Sequence, residues 1–235
     1  MCTVTYLPNP DNSYLLTSNR DESSLRPTGP PEIQNHPNGK YLFPKDELAG
    51  GTGIAVADKG RFGNVLNGAF EKHKWEPPYK KSRGLIMLEM LISEDQKEYL
   101  KSNDLTGVEP FTFIFGSSGS LFEMQWDGLN HYHKELDPNV PHIWSSAQLY
   151  PAKVRDKRAQ WFEAWLRNKK EYKLEEILNF HEHGGEGDAE NDLVMNRYNM
   201  VQTVSITSLI GRPDSFRMIY KDLVKDLTTD AVLVI

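Results

Sequence analysis

Cys2, the second residue of the chain, carries a side chain that could act as a nucleophile. Methionine aminopeptidases remove Met1 when the next side chain is small, and cysteine meets that condition. The mature chain would then hold a thiol and a free α-amino group on one residue. An α-amino group has a pKa of about 7.7–8.0, so it can serve as the base for its own side-chain nucleophile. The alternative is a small apolar residue in an edge strand.

Four polar residues, Asn19-Arg20-Asp21-Glu22, follow the second predicted strand. The turn before that strand would return this segment towards Cys2, because antiparallel neighbours lie about 5 Å apart. At that distance Arg20 would favour the thiolate form of the cysteine, and Asp21 would hold or orient the amine. The alternative is a charged turn that is exposed to solvent.

Asn67 is the candidate for stabilising a reaction intermediate, since a side-chain amide can donate a hydrogen bond to a tetrahedral oxyanion. It stands at the end of a predicted strand and directly before Gly68. That position equally suits a turn residue that closes a hairpin. Both interpretations stay open from the sequence.

Two histidine pairs could in principle bind a metal. His131 and His133 would point to the same side of a strand, and His181 and His183 lie close to an acidic segment. A tetrahedral zinc site needs three or four ligands, and no paired cysteines or His-Glu-x-x-His pattern accompanies either pair. We therefore predict solvated surface histidines, no metal and no cofactor. The chain also has no Walker loop and no Gly-x-Gly-x-x-Gly pattern, which argues against nucleotide binding.

The elements that must position these residues are mainly short strands with turns between them. Predicted strands cover Thr3–Leu7, Ser13–Ser18, Ile54–Ala57, Arg61–Asn67, Phe111–Phe115, Leu121–Trp126, Leu129–His133, Met200–Thr207 and Phe216–Tyr220, the last two closing the chain. Predicted helices cover Ser82–Lys101, Pro151–Lys170 and Leu174–Phe180, with Ser82 as an N-cap. The segment Arg26–Lys40 is rich in proline, glycine and asparagine and predicts an irregular surface loop. Antiparallel hairpins with helices in two blocks favour the α+β class.

The composition is that of a folded, water-soluble protein of 235 residues, and we expect one domain over residues 1–235. A net charge of −6 disfavours nucleic acid as a partner. No apolar stretch is long enough for a membrane span. A single cysteine and the lack of a signal-like N-terminus predict a cytoplasmic protein. The oligomeric state stays open.

The chain resembles the NRDE family, which includes Transport and Golgi organisation protein 2 and its bacterial relatives. The resemblance rests on Met1-Cys2-Thr3, the segment Asn19–Glu22 followed by Arg26-Pro27, and Gly50-Gly51-Thr52 before a hydrophobic strand, in matching order and spacing. Further on, Ser145-Ser146 followed by Lys153 is similar to a family segment usually written Ser-Asn…Pro-Lys, with Ser146 at the asparagine position.

The resemblance implies an N-terminal nucleophile hydrolase with a four-layer αββα sandwich of two antiparallel sheets flanked by helices. Hydrolases of that group with an N-terminal cysteine, such as penicillin V acylase and bile salt hydrolase, cleave non-peptide amide bonds. They use an arginine and an aspartate shortly after the cysteine, which implies these roles for Arg20 and Asp21.

Two functions are therefore expected. In the first, Cys2 attacks the amide or thioester carbonyl of a small-molecule substrate and forms an acyl-enzyme, assisted by Arg20, Asp21 and Asn67. In the second, the protein is a non-catalytic member of the family that binds or carries a hydrophobic ligand such as haem or a lipid. Eukaryotic relatives have been linked to Golgi organisation, lipid metabolism and haem trafficking.

Overall fold

The computed structural model describes residues 3–117 and 119–235. Over these residues the chain forms two antiparallel sheets of seven strands each and four helices. The strands are β1 (Thr3–Pro8), β2 (Tyr14–Glu22), β3 (Thr28–His36), β4 (Gly39–Asp46), β5 (Ile54–Ala57), β6 (Arg61–Asn67), β7 (Phe111–Ser117), β8 (Ser120–Trp126), β9 (His131–Leu136), β10 (His142–Ser145), β11 (Asn196–Arg197), β12 (Val201–Arg212), β13 (Ser215–Asp222) and β14 (Leu227–Val234). The helices are α1 (Arg83–Ile92), α2 (Gln96–Ser102), α3 (Ala152–Leu166) and α4 (Leu174–His183).

The first sheet has the strand order β10-β1-β2-β12-β13-β14, with β11 paired to β12. The second sheet is a continuous meander from β3 to β9. Apolar side chains from both sheets meet in one buried cluster, which includes Val4 and Leu16 of the first sheet and Leu42 and Phe62 of the second. Helices α1 and α2 cover the outer face of the second sheet, and α3 and α4 cover that of the first. The expected αββα sandwich is confirmed.

The pairing of β1 with β2 places the start of the chain beside the polar tetrad. The register runs from Thr3 opposite Asn19 to Pro8 opposite Tyr14. Successive side chains of a strand point to opposite faces. On β1, Thr5 contacts α4 through His181, whereas Val4 and Tyr6 lie in the cluster between the sheets.

The prediction of an irregular loop over Arg26–Lys40 is wrong. Most of this segment forms β3 and the start of β4, which pair with each other. Strand β3 lies at the edge of its sheet, where a proline without an N–H group is tolerated. The register also shifts between Thr28 and Pro31, so the segment accommodates its prolines by an irregularity in the pairing.

The predicted helix Ser82–Lys101 is two helices in the structure. Ser82 is the N-cap of α1, as expected, but α1 ends at Ile92. The carboxylate of Asp95 accepts hydrogen bonds from the backbone N–H groups of Lys97 and Glu98. Such a cap starts a new helix, which explains why the apolar periodicity did not continue as one element. None of the helices in the described residues is long and apolar enough to cross a bilayer.

The helices α3 and α4 and the meander β7–β8–β9 confirm the corresponding predictions, with small differences in their ends. Helix α3 stops at Leu166 rather than Lys170, and Asn168 adopts a positive φ of 65°, a conformation common after a helix end. The prediction that two strands close the chain is wrong, since β14 follows them. Most side chains of this edge strand are exposed, and it lacks the apolar alternation that marks a half-buried strand.

Candidate active site

The tetrad Asn19-Arg20-Asp21-Glu22 forms the last four residues of β2 and does not follow that strand, contrary to the prediction. Its first residue, Asn19, pairs with β1 on one side, and all four residues pair with β12 on the other. As part of a strand, its side chains alternate between two faces. Arg20 points towards the second sheet, where it contacts Asp46 of β4. Asp21 points towards the helical layer, where it contacts Tyr150.

Arg20 and Asn67 line the same small pocket, of about 70 Å³. We call it the Arg20 pocket; its walls also include Arg26, Asp46, Thr52 and Arg83. The guanidinium of Arg20 lies 2.8 Å from the Asp46 carboxylate, and Arg26 binds the same oxygen at 2.8 Å. The side chain of Arg20 is only 11% exposed, and the ion pair with Asp46 holds its guanidinium in place.

The floor of the Arg20 pocket is formed where helix α1 approaches the Gly-Gly-Thr segment. A Cβ atom on Gly84 would lie 2.4 Å from the carbonyl oxygen of Thr52 and 2.7 Å from its nitrogen. Only a glycine permits this approach without a shift of the backbone. Next to it, Arg83 forms an ion pair of 2.9 Å with Glu109. Burial lowers the pKa of Arg83 from its ordinary value, and Glu109 opposes that effect.

Asn67 is the last residue of β6, and the next regular element is α1. The alternative interpretation, in which it closes a hairpin, is therefore wrong. Its backbone carbonyl accepts hydrogen bonds from the Ser146 hydroxyl at 2.7 Å and from the Gln148 N–H at 3.2 Å. These bonds tie the segment after β10 to the end of β6. Ser146, which stands where the family pattern has asparagine, thus fixes the backbone of the candidate oxyanion residue.

Asp21 lies outside the Arg20 pocket, on the other face of the first sheet. It is buried, and its two carboxylate oxygens accept hydrogen bonds from the hydroxyl groups of Tyr150 and Thr203, each at 2.6 Å. Thr203 lies opposite Asp21 in the pairing of β12 with β2. The backbone N–H of Met195 donates to the Thr203 hydroxyl at 2.9 Å, so that hydroxyl is oriented to donate to Asp21.

A buried arginine supports this second face of the site. The guanidinium of Arg158 on α3 is fully buried and donates to the backbone carbonyls of Asn191 and Asp192 and to the Thr3 hydroxyl. It also stacks 3.6 Å from the centre of the Tyr150 ring. Sequence reasoning assigned no role to Tyr150, Thr203 or Arg158. One signal was present, because Arg158 shares the helical face of Phe162, which is buried.

The prediction that His181 is a solvated surface residue is wrong, because its side chain is fully buried. Its Nδ1 contacts the Asn19 side-chain oxygen, and its Nε2 lies 2.8 Å from the Thr5 hydroxyl. Burial, with a smaller contribution from Arg158, lowers the pKa of His181 to about 3. His131 and His133 are exposed, with their rings 3.2 Å apart at the nearest nitrogens. Among residues 3–117 and 119–235, no three histidine, cysteine, aspartate or glutamate side chains cluster as metal ligands.

A larger cleft of about 610 Å³ adjoins the site. We call it the Tyr150 cleft; its walls include Phe70, Leu149, Tyr150, Pro151, Arg155 and Arg197. Two of its lining residues connect it to the candidate site residues, because the Tyr150 hydroxyl binds Asp21 and the Gln148 N–H binds the Asn67 carbonyl. Cys2 lies outside the described residues, so its predicted role stays a prediction.

Two packed antiparallel sheets between two layers of helices are the fold of the N-terminal nucleophile hydrolases. A variant of conjugated bile acid hydrolase from Clostridium perfringens has a TM-score of 0.63 at 13% identity, over 100% of this chain and 96% of its own. A second variant of that enzyme has a TM-score of 0.61 at 12% identity, over 98% and 92% of the two chains. The Caenorhabditis elegans N-acylethanolamine-hydrolyzing acid amidase ortholog has a TM-score of 0.62 at 10% identity, over the full length of both chains. At these identities the likeness concerns the fold.

Within that fold, the sequence itself identifies the family. The model of the Transport and Golgi organisation 2 family matches residues 1–208, and the chain belongs to this family. No curated protein matches the sequence. The expected relationship to the NRDE family is therefore confirmed.

Proposed function

We propose that this protein is an N-terminal cysteine hydrolase that cleaves a non-peptide amide or a thioester through an acyl-enzyme on Cys2. The observation that carries the proposal is the register of β1 with β2, in which Thr3 lies opposite Asn19. This register brings the first described residue of the chain to the tetrad. The fold supports the proposal as well, since the structurally similar proteins are described as a bile acid hydrolase and an acylethanolamine-hydrolysing amidase.

In the proposed arrangement, the thiol of Cys2 acts beside Arg20, since the next residue along the chain, Thr3, pairs with Asn19. Val4 faces the space between the sheets, and residues two positions apart share a face of a strand. The thiol would then face the Arg20 pocket, which Asn67 also lines. The guanidinium of Arg20 would favour the thiolate, while Asp21 would orient the α-amine from the opposite face.

The proposed reaction has two stages. The α-amine of mature Cys2 takes the thiol proton, and the sulfur attacks the substrate carbonyl carbon to give a tetrahedral oxyanion that the Asn67 amide stabilises. As the intermediate collapses, the carbon–nitrogen bond breaks and the ammonium group returns the proton to the leaving amine. Water then attacks the resulting thioester, the amine again accepts a proton, and the acid product leaves with the thiol restored.

Mass spectrometry and two substitutions test this proposal. We expect the purified protein to lack Met1, and we expect Cys2→Ala to abolish hydrolysis of a panel of acyl amides and thioesters. Cys2→Ser replaces the thiol with a hydroxyl group of similar shape that is a weaker nucleophile. We therefore expect a residual rate of hydrolysis. Active protein that retains Met1 would contradict the role of the amine, and full activity in Cys2→Ala would refute the proposal.

The same preparation tests the non-catalytic alternative. A haem titration whose absorption spectrum is lost in Cys2→Ala, together with no hydrolysis by the parent protein, would favour a ligand carrier. Because the chain has a single cysteine, the labelling of the protein by a thiol reagent reports on Cys2 alone. Rapid labelling at neutral pH is the result expected of the hydrolase.

A further inference from the structure

Two arginines on the wall of the Tyr150 cleft form no ion pair with a carboxylate of the described residues. Arg155 donates from Nη2 to the Phe70 carbonyl at 2.9 Å, and its buried Nε has no hydrogen-bond partner among residues 3–117 and 119–235. Arg197 donates to the carbonyl oxygens of Leu149 and Glu190, each at 3.1 Å, and to the neutral side-chain oxygen of Asn191 at 3.3 Å. Within the part of the chain that the structure describes, neither guanidinium forms an ion pair. Their charges are therefore not neutralised by the fold.

The Arg20 pocket provides the contrast. There, Arg20 and Arg26 share the carboxylate of Asp46, Arg26 also pairs with Glu22 at 3.0 Å, and Arg83 pairs with Glu109. The arginines of that pocket are thus already compensated. In the Tyr150 cleft the remaining charged lining residues are Lys72 and Glu71, which leaves an excess of positive charge. A buried or half-buried cation without a partner is costly, and an anionic ligand would remove that cost.

The other walls of the Tyr150 cleft are apolar. Phe70, Leu149, Pro151 and Ala152 line it together with the two arginines. A cleft that combines an apolar wall with unpaired guanidinium groups is suited to an amphipathic anion. A guanidinium matches a carboxylate in particular, because its planar fork can form two parallel hydrogen bonds.

We propose that the Tyr150 cleft binds the substrate, and that the substrate is an acyl conjugate with a free carboxylate, such as an N-acyl amino acid. This inference rests on the proposed function. The carboxylate binds between Arg155 and Arg197, and the acyl chain contacts the apolar wall. Hydrogen bonds from Tyr150 to Asp21 and from Gln148 to Asn67 place the cleft next to the candidate site residues, where the amide would react.

A matched pair of probes tests the inference. N-decanoylglycine carries a carboxylate where N-decanoylethanolamine carries a neutral hydroxyl, and the acyl chain and amide are identical. Calorimetric titration of the Cys2→Ala protein measures binding without turnover. We expect the dissociation constant of N-decanoylglycine to be about tenfold lower, which corresponds to about 1.4 kcal/mol, because hydrogen bonds between a guanidinium and a carboxylate are stronger than those to a neutral hydroxyl.

Substitutions of the two arginines locate the effect. In the same Cys2→Ala background, Arg155→Gln and Arg197→Gln should each remove most of the preference, because they weaken the binding of N-decanoylglycine more than that of N-decanoylethanolamine. Arg197→Lys keeps the charge but lacks the planar guanidinium group. It should therefore retain part of the preference that Arg197→Gln loses. Arg212→Gln, at an exposed position of β12, is the control for net charge. A thermal unfolding curve for each variant shows that it is folded.

Three results would overturn the inference: equal affinity for the two probes, no binding of either probe at millimolar concentration, or an unchanged preference in both glutamine variants. The comparison of the two probes needs no arginine variant, so it decides even where a glutamine variant does not fold. Failure of the proposed function gives a different result. In that case N-decanoylglycine binds the Cys2→Ala protein with the expected preference, but the parent protein does not hydrolyse it, or the Cys2→Ala protein hydrolyses it as fast as the parent.

Discussion

The side chain of Asn19 on β2 and the imidazole of His181 on α4 bind each other in the buried layer between strand and helix. The Asn19 amide nitrogen donates to the backbone carbonyls of His181, at 3.1 Å, and Leu193, at 2.6 Å. Its amide oxygen therefore accepts from His181 Nδ1, and the Nε2 of the same ring accepts from the Thr5 hydroxyl. This arrangement fixes the neutral tautomer of His181 and attaches α4 to the strand that carries Arg20 and Asp21.

The first prediction concerns the stability that this contact provides. Asn19→Ala would leave the Nδ1–H group of His181 and two carbonyl groups without their partner in a buried site. Unsatisfied buried groups cost about 1–3 kcal/mol each, so we expect the free energy of unfolding to fall by about 3 kcal/mol. Chemical denaturation measures this loss. Asn35→Ala, at an exposed position of β3, is the matched control and should change stability by less than about 0.5 kcal/mol. A similar small effect in Asn19→Ala would show that the contact contributes little.

The second prediction is a pH dependence of stability. Folded His181 stays neutral down to a pKa of about 3, whereas the unfolded chain takes up the proton at the ordinary value of 6.5. Between these two pH values the unfolded state binds more protons. The free energy of unfolding should therefore fall as the pH falls below 6.5, by up to about 1.4 kcal/mol per pH unit.

Denaturation curves at pH 7 and pH 5 measure that slope. His181→Gln should flatten it, whatever its effect on stability at pH 7. His183→Gln lies on the same helix at an exposed position and should leave the slope unchanged. The proposed origin of the slope is wrong if His181→Gln retains it in full.

The third prediction concerns Gly84 and the floor of the Arg20 pocket. In a helix interior, alanine is normally more stable than glycine by about 1 kcal/mol. At this position its Cβ would meet the Thr52 backbone at 2.4 Å, and such overpacking costs about 1–3 kcal/mol. We therefore expect Gly84→Ala to destabilise the protein, which a thermal unfolding curve would show. Gly29→Ala, where the nearest atom lies 3.9 Å away, should be close to neutral. An increase in stability for Gly84→Ala would contradict the close approach.

Local patterns predicted most of the fold. The hairpin β5–β6 was predicted with its exact ends, because two short, mainly apolar runs flank an Asp-Lys-Gly turn. The family resemblance gave the order of the layers. Strand β3 was missed since its prolines indicate a loop, and they are acceptable only because β3 is an edge strand. That property depends on the whole sheet and has no local signal.

The candidate site was predictable in part. The sequence indicates Arg20, Asp21 and Asn67, and the structure brings Arg20 and Asn67 to one pocket. The sequence could not show that Asp21 points to the other face, because the tetrad was predicted to follow the second strand and alternation applies only within a strand. The partners of Asp21 were also hidden, since Tyr150 and Thr203 are far from it in sequence and meet it only through the pairing of β12 with β2 and the segment after β10.

The last prediction tests the electrostatic role of Arg20. If its guanidinium favours the thiolate of Cys2, then Arg20→Gln should raise the pH midpoint of thiol labelling by about one unit, because a nearby opposite charge shifts such equilibria by about 1–3 units. The substitution also leaves Asp46 with Arg26 as its remaining ion-pair partner among the described residues. The added negative character acts in the same direction, so the sign of the expected change is unambiguous.

Rates of labelling by iodoacetamide between pH 5 and pH 10 give the midpoint, and the single cysteine ensures that one group is observed. Arg217→Gln removes an equal charge from an exposed ion pair with Asp230 on the far strands of the first sheet. It should leave the midpoint in place. Equal midpoints in the parent, Arg20→Gln and Arg217→Gln proteins would mean that Arg20 does not act on the thiol, and its ion pair with Asp46 would then serve only to hold β2 against β4.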